Sequence, residues 1–402
     1  MRIGIDCRMF KSSFTGIGRY TFELVKNLEK LSAQTSANIQ VSADAPTKAE
    51  TIVNVNNLAA KNEYVLFLNE PEFSNFEPTA TNFTKVLVDA PHYSLKEQTK
   101  FLKILNEQNL DLMHFTHFNA PIRYRKPFIV TIHDLTHTLF PGRKMTSLPY
   151  RLAYRAVVKN AVRKAKIVIA VSNNTKEDLI KILKVPEEKI KVIYEGANEE
   201  FRQLTDAEKE TSAKILNEKY GIAQPFFLYT GVHRYHKNLT RLIKAFKFIS
   251  NKYPDLKLVI TGKPDPLYPE AEQEVADQNL EEKVVFTGLI TENELIALYN
   301  LAEIYIFPSL YEGFGLPILE AFACGAPVCA SNISSIPEVA GKDNAIFFNP
   351  YEEKDIAEKT LSIFENSARR NKLIQNGLIR IKNFSWKKMA KEILEVYNTT
   401  SN

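Results

Sequence analysis

The sequence predicts an α/β protein made of two Rossmann-like, doubly wound domains. Length is the first observation. At 402 residues the chain exceeds what one hydrophobic core comfortably serves, and two domains of about 200 residues each are the natural division. The second is alternation: short, near-continuous apolar runs alternate with segments of helical periodicity, the pattern of parallel strands joined by crossover helices. The third is how those runs end. Several stop at Gly, Pro-Ser or a polar pair, and in open parallel sheets ligands bind at the carboxyl ends of strands. An apolar content of 45% with 25% charged residues is that of an ordinary globular chain.

Ile3 to Ile5 form the first predicted strand. The loop Ser12–Tyr20 leads into a helix with apolar positions Tyr20, Leu24, Leu28 and Leu31. Gly16 and Gly18 let a backbone come close to a phosphate or a sugar at a helix N-terminus. A dinucleotide fingerprint needs a third glycine where Thr21 stands, so the loop reads as a general anion-binding turn and not as an NAD site. Residues 32–62 are polar and read as a loop with a short helix. Strands follow at 64–68, 85–88 and 110–115, with a helix within 94–108.

Phe128–Ile132 is a further apolar strand, and it ends in His133 and Asp134, where a parallel sheet puts its functional groups. From Leu135 to Lys176 there are nine basic residues and no acidic one. Arg151, Arg155, Lys159 and Arg163 recur every four residues along one face, while Tyr154, Val157, Val158, Ala161 and Val162 line another. Residues 147–166 therefore form a basic amphipathic helix, suited to an anionic membrane surface or a phosphorylated lipid. Ile167–Ser172 is the next strand. Ser172–Glu177 then caps a helix, with Asn or Thr as N-cap, and the strand-end place of Ser172 and Asn173 also suits an acceptor or phosphate contact. The first domain closes near residue 200.

The second domain, 201–384, restarts at the strand Pro225–Gly231. Its loop carries Arg234 and Lys237, with His233 and His236, before a helix from Leu239 to about Asn251. Positive charge here suits a departing nucleoside diphosphate, on which negative charge grows. Strands are expected at 256–262, 284–288, 303–307, 327–331 and 345–348, and helices follow to a terminal segment, 385–402. The run Ile304–Phe307 breaks at Pro308 and Ser309, turns through Gly313, Phe314 and Gly315, and enters a helix at Leu316. A helix N-terminus after a glycine turn is an anion site. Glu312 and Glu320 bracket it. Carboxylates beside an anion site suit a ligand carrying hydroxyls as well as phosphate, such as a sugar nucleotide.

Glu312 and Glu320, spaced E-x7-E within Pro308, Ser309, Gly313, Gly315, Pro317, Cys324, Gly325 and Pro327, resemble the signature of retaining glycosyltransferases of the family-four group, with GT-B architecture. Arg2–Arg8 with Thr15–Tyr20 resembles the N-terminal motif of its mannosyltransferases. The resemblance implies two Rossmann-like domains facing across a cleft, with the terminal helix crossing back to the first. It implies transfer of a sugar, best matched to mannose from GDP-mannose, to a glycan or lipid-linked acceptor with retention and without a metal. A UDP-sugar is the alternative donor. By the same resemblance His133 contacts the donor sugar, with Gly16 and Gly18 on the same side. Glu312 and the backbone of Gly313 to Leu316 orient sugar hydroxyls, Glu320 holds the ribose, and the turn at Leu289 holds the base. Lys237 and Asn238 match the diphosphate loop. The arginine common after the glycine is Val232 here, and Arg234 stands two residues on. Asp134, Ser172 and Asn173 fall to the acceptor.

Other classes find less support. A net charge of +5 does not argue for nucleic acid, and the basic helix lacks the aromatic interleaving that single strands need. No run reaches the roughly 18 to 20 apolar residues that cross a bilayer. Cys7, Cys324 and Cys329 lack metal-ligand spacing and read as reduced core thiols. The opening residues read as a strand and not a signal peptide, so the expected location is cytoplasmic, peripheral on the inner membrane face. No resident cofactor or metal is expected. A silent sugar-binding protein would have lost Lys237 or Glu312, and a phosphorylase would show a pyridoxal lysine.

Overall fold

The computed structural model describes residues 1–10, 16–38, 58–143 and 148–400. They fall into two compact units. One comprises Met1–Leu135, Ser147–Gly196 and Ser385–Asn402; the other comprises Thr136–Thr146 and Ala197–Phe384.

The first unit is built on seven strands: β1 (Arg2–Asp6), β2 (Glu63–Leu68), β3 (Phe83–Leu87), β4 (Leu112–Phe115), β5 (Phe128–Ile132), β6 (Val168–Ala170) and β7 (Ile190–Val192). Their order is β3-β2-β1-β4-β5-β6-β7, every pairing parallel. β4 and β5 are buried along their whole length, as central strands covered on both faces are, which is why they are mostly apolar without alternation, His114 and Thr131 excepted. The helix Gly16–Asn38 starts earlier and runs further than its apolar spacing alone indicates. Gly16 and Gly18 stand in its first turn, not in the loop before it, and residues 32–38 continue it because no Gly or Pro interrupts them. Thr15 and the preceding loop, and residues 39–57, lie outside the described residues.

The helix Trp386–Thr400 belongs to this first unit and packs on the helix Gly16–Asn38. Met389, Ala390, Ile393, Leu394 and Tyr397 on one face are fully buried. Each large apolar side chain among them contributes about 1.5–3 kcal/mol by leaving water. The chain approaches it closely at Gly196, where a Cβ would lie 2.1 Å from the Trp386 nitrogen, so only glycine fits. A polar thread completes the joint. His114 on β4 meets the Tyr397 hydroxyl at 2.7 Å through Nδ1 and the Thr131 hydroxyl of β5 at 2.8 Å through Nε2.

The second unit has six strands: β8 (Phe226–Thr230), β9 (Lys257–Thr261), β10 (Val284–Gly288), β11 (Ile304–Phe307), β12 (Val328–Ser331) and β13 (Ala345–Phe348). Their order, β10-β9-β8-β11-β12-β13, is again wholly parallel. Its core gathers Phe227, Ile243, Phe246, Leu258, Ile304 and Ile356 from strands and covering helices. The polar stretch after Asn198 forms the helix Asp206–Tyr220, opened by a capping box of Thr205 and Glu208 and closed by Gly221. In each sheet the strand order reverses once, between β1 and β4 and between β8 and β11. At such a switch point neighbouring loops part and leave a crevice for ligands.

Burial holds the His114 imidazole neutral, with its proton affinity lowered from 6.5 to about 3. Between those two values the unfolded chain binds a proton that the folded chain refuses. The stabilising contribution of this site is therefore full above about pH 6.5 and is lost as pH falls toward 3. Urea midpoints measured across that window should fall with acid in the native chain and fall less steeply in His114→Gln; equal slopes would refute the assignment.

Candidate functional site

At the switch point of the second unit, β8 runs into the loop Gly231–Asn238 and β11 into Pro308–Gly315. The first loop tightens into a single 3-10 turn, Tyr235–Lys237, and Asn238 then takes a left-handed φ of 60° before the helix Leu239–Lys252. Asparagine tolerates that conformation. Its buried side-chain amide donates to the carbonyl oxygens of Pro308 (3.1 Å) and Pro350 (2.7 Å), and the Leu310 N–H donates to the His236 carbonyl at 2.7 Å. The two loops are thereby fastened together.

Lys237 and Glu312 meet in this frame, Nζ to Oε1 at 2.6 Å, with about 15% of each side chain exposed. The turn that carries Glu312 is pinned from behind. Ser334 accepts from the Glu312 N–H at 3.1 Å, and the Ser335 hydroxyl lies 3.0 Å and 2.8 Å from the carbonyl oxygens of Glu312 and Phe314. Gly315 caps the following helix, Leu316–Ala323, at φ 115°, a conformation that favours glycine, and Pro317 occupies its first turn. Within that helix Glu320 accepts from the Tyr299 hydroxyl at 3.1 Å. Tyr299 in turn lies 2.9 Å from Thr230 at the end of β8, and Thr230 lies 3.1 Å from Tyr305. One proton order satisfies all of these groups: Tyr305 donates to Thr230, Thr230 to Tyr299, and Tyr299 to Glu320. Burial pushes the Tyr299 and Tyr305 phenols up, so both stay protonated.

Arg234 takes another direction. Its Nε lies 3.8 Å from Asp265, and it lines a cavity of about 400 Å³ with His233, Arg241, Lys244 and Glu274, in which neither Lys237 nor Glu312 takes part. The histidines of the loop do not uniformly add positive charge. Burial, and then the charges of Lys237 and Arg234, lower His236 to about 3, so it is neutral at pH 7. Leu289 follows β10 as a 55% exposed residue beyond Gly288.

In the first unit His133 ends β5 almost buried. Its Nδ1 meets Glu195 Oε1 at 3.1 Å, its Nε2 meets the Thr116 carbonyl at 2.9 Å, and the Tyr20 ring stands edge-on at 4.8 Å. Asp134 follows, partly buried. Ser172 is wholly buried and caps the helix Asn173–Leu183, accepting from the Thr175 N–H at 3.0 Å. Thr175 donates to the His133 carbonyl at 3.3 Å, so this cap braces the residue that ends β5. Asn173 is exposed and donates to the Tyr194 hydroxyl at 2.8 Å.

Comparison with known proteins bears on the family and the fold. The Glycosyltransferase Family 4 profile matches residues 14–201, and the Glycosyl transferases group 1 profile matches residues 212–380. The chain belongs to the group 1, family 4 glycosyltransferases. Serotype-specific mannosyltransferase WbdA of Escherichia coli is 31% identical over 273 residues, 66% of this chain and 33% of that protein, so the chain spans about a third of its length. O-antigen chain mannosyltransferase B of Escherichia coli is 26% identical over 408 residues, 99% of each chain. The structure of sucrose-phosphate synthase from Thermosynechococcus elongatus superimposes with a TM-score of 0.71 at 19% identity, covering 99% of this chain and 98% of that one. The fold is therefore GT-B, two Rossmann-like domains.

Within this glycosyltransferase framework the structure brings Lys237, Glu312 and the Gly313–Leu316 turn together, with Glu320 tied to the same sheet end. Sequence reasoning missed Glu195, Tyr299, Ser334 and Ser335. Glu195 stood beside Gly196 at a strand end, a signal that could have marked it. The other three lie on elements remote in sequence and carried none. Removing the Tyr299 hydroxyl breaks the Thr230–Tyr299–Glu320 chain at its centre. Tyr299→Phe should lower unfolding free energy by about 1–2 kcal/mol, read as a shifted urea midpoint; an unmoved midpoint would show that the chain carries no stability.

Proposed function

We propose that the protein transfers a mannosyl residue from GDP-mannose to a glycan or lipid-linked acceptor, with retention at the anomeric carbon and without a metal. The Lys237–Glu312 pair at the switch point of the second unit carries the reading. A partly buried ammonium beside the glycine turn meets charge growing on the departing diphosphate, in a site where water competes less than at the surface. That cation is the basis for proposing metal-independent transfer; Arg234, turned toward Asp265, joins it only by swinging away from that carboxylate. Glu312 faces the sugar hydroxyls, with the Gly313–Leu316 backbone beside it, and Glu320 takes the ribose hydroxyls while Tyr299 holds it in place. Leu289 contributes backbone contacts to the base. Mannose is favoured because both Escherichia coli relatives described above are named as mannosyltransferases. The first unit receives the acceptor near Asp134, Ser172 and Asn173.

A donor screen tests the reading. Purified protein incubated with GDP-mannose, UDP-glucose and UDP-galactose should hydrolyse GDP-mannose slowly, and Glu312→Gln should lower that turnover by about 10²-fold or more with the far-UV spectrum retained. Turnover of a UDP-sugar alone would replace the donor, and no nucleotide-sugar binding at all would end the proposal.

The same reading extends to location. Among the described residues no helix is long and apolar enough to cross a membrane. The helix Leu148–Lys164 exposes Arg155, Lys159 and Arg163, and its first turns expose Leu148 (65%) and Leu152 (55%). Apolar and basic side chains together suit an anionic cytoplasmic membrane face, where a lipid-linked acceptor is presented. Vesicles of phosphatidylglycerol should sediment the protein and phosphatidylcholine vesicles should not. The triple change R151E, R155E and K159E should release it. Equal recovery with both lipids would make this helix a solvated face.

A further inference from the structure

The switch point of the first unit holds a group of side chains that the donor chemistry leaves unused. β1 ends at Asp6, and Arg8 just beyond is wholly buried, paired with Asp6 at 2.8 Å and lying 3.6 Å from Glu97. Arg8 also donates to the Asn119 carbonyl at 3.1 Å, beyond the end of β4. Glu97 accepts from the Tyr93 N–H at 2.8 Å and from the Asn119 amide at 3.2 Å. This buried frame fixes the loop after β3, where Tyr93 takes a left-handed φ of 61°, an unusual conformation for a tyrosine. The loop presents an aromatic shelf. Tyr93 is 47% exposed and Tyr150, 6.4 Å away between ring centroids, is 40% exposed; His92, His117 and Phe118 surround them. Burial, and then the neighbouring Tyr150 and Tyr154 phenols and the charges of Glu97 and Asp134, push the Tyr93 hydroxyl up.

Two polar groups on this shelf want a ligand. The Arg8 main chain approaches His92. Among the described residues, however, neither shielded ring nitrogen of His92 makes a hydrogen bond of normal geometry. The Asn119 side-chain oxygen is likewise buried without a partner. Such groups are costly unless something fills them. We propose that the shelf of His92, Tyr93, His117 and Tyr150 beside Asp134 is a subsite for a neutral pyranose of the acceptor glycan. One sugar face lies on Tyr93, and its hydroxyls bond to His92 and Asn119. An exposed phenol ring offers the flat, electron-rich face on which sugar C–H groups pack. Charge decides against an anionic ligand: Arg8 is already matched by Asp6 and Glu97, and Asp134 adds a further carboxylate. Burial, and then the Arg8 charge, lower His92 to about 4, so at neutral pH it offers a hydroxyl one donor and one acceptor but offers a phosphate no cation.

The proposal rests on the glycosyltransferase reading, but its readout needs no donor. Saturation-transfer NMR on the full chain, with α-mannotriose and mannose 6-phosphate as probes, should show mannotriose bound and mannose 6-phosphate bound more weakly. Tyr93→Ala and Tyr150→Ala should each weaken mannotriose by about tenfold, and Tyr93→Phe should stay within about threefold because the ring face remains. The far-UV spectrum and the urea midpoint report that each variant is folded, and Tyr150, at the surface, provides a variant safe for folding. Absent mannotriose binding, unchanged affinity in both alanine variants, or tighter mannose 6-phosphate would overturn the subsite. None of those outcomes bears on the donor screen, which stands or falls by itself.

Discussion

Reversal of strand order between β8 and β11 is the constraint on which the chemistry of the second unit depends. Crossovers on the two sides of that line run to opposite faces, so the loops leaving these two strands have no helix between them. Lys237 comes from one loop and Glu312 from the other, 75 residues apart in sequence, and they meet at 2.6 Å. The same reversal between β1 and β4 sets Asp6 and Arg8 against Asn119 in the first unit. Each unit thus has one place where loops from distant parts of the chain converge, and each fills it with charge.

A crevice alone would not hold side chains to the tolerance that transfer chemistry requires. Backbone groups that the strands leave unmatched do that work. Asn238 spans Pro308 and Pro350, Ser334 and Ser335 hold the Glu312 turn, and Thr175 holds the His133 carbonyl. Every one of these bonds satisfies a main-chain group that would otherwise be costly to bury, so precision at the site follows from the requirement that buried polar groups be paired.

Burial also sorts the histidines. His92, His114 and His236 are driven neutral by loss of water, and in the loop after β8 the ammonium of Lys237 pushes His236 the same way. His133 differs in facing a carboxylate, Glu195, across 3.1 Å. Residues of one type therefore take different parts: structural joints at His114, a neutral hydrogen-bonding group at His92, and a braced imidazole at the end of β5.

Local sequence determined the strands, the glycine turn and the position of Glu312 and Glu320 on the turn and its helix. Apolar runs, breakers and caps act within a few residues, and a single chain displays them openly. The basic helix was legible for the same reason, since a four-residue repeat of Arg and Lys is a local pattern. Apolar spacing understates the first helix, because helix length depends on where a breaker stands as well as on where that spacing stops. The neutrality of His236 was not legible, because neutrality depends on packing against groups that the primary order does not show. Arg234 was placed with Lys237 by nearness in sequence, yet a 3-10 turn separates their directions and sends Arg234 toward Asp265. Glu195, Tyr299 and Ser335 entered only through contacts spanning 62, 21 and 21 residues. The sequence by itself determined which residue types stand at each strand end; the tertiary structure decided which of them meet, because side chains distant along the chain are brought within bonding distance only by the order in which parallel strands lie side by side.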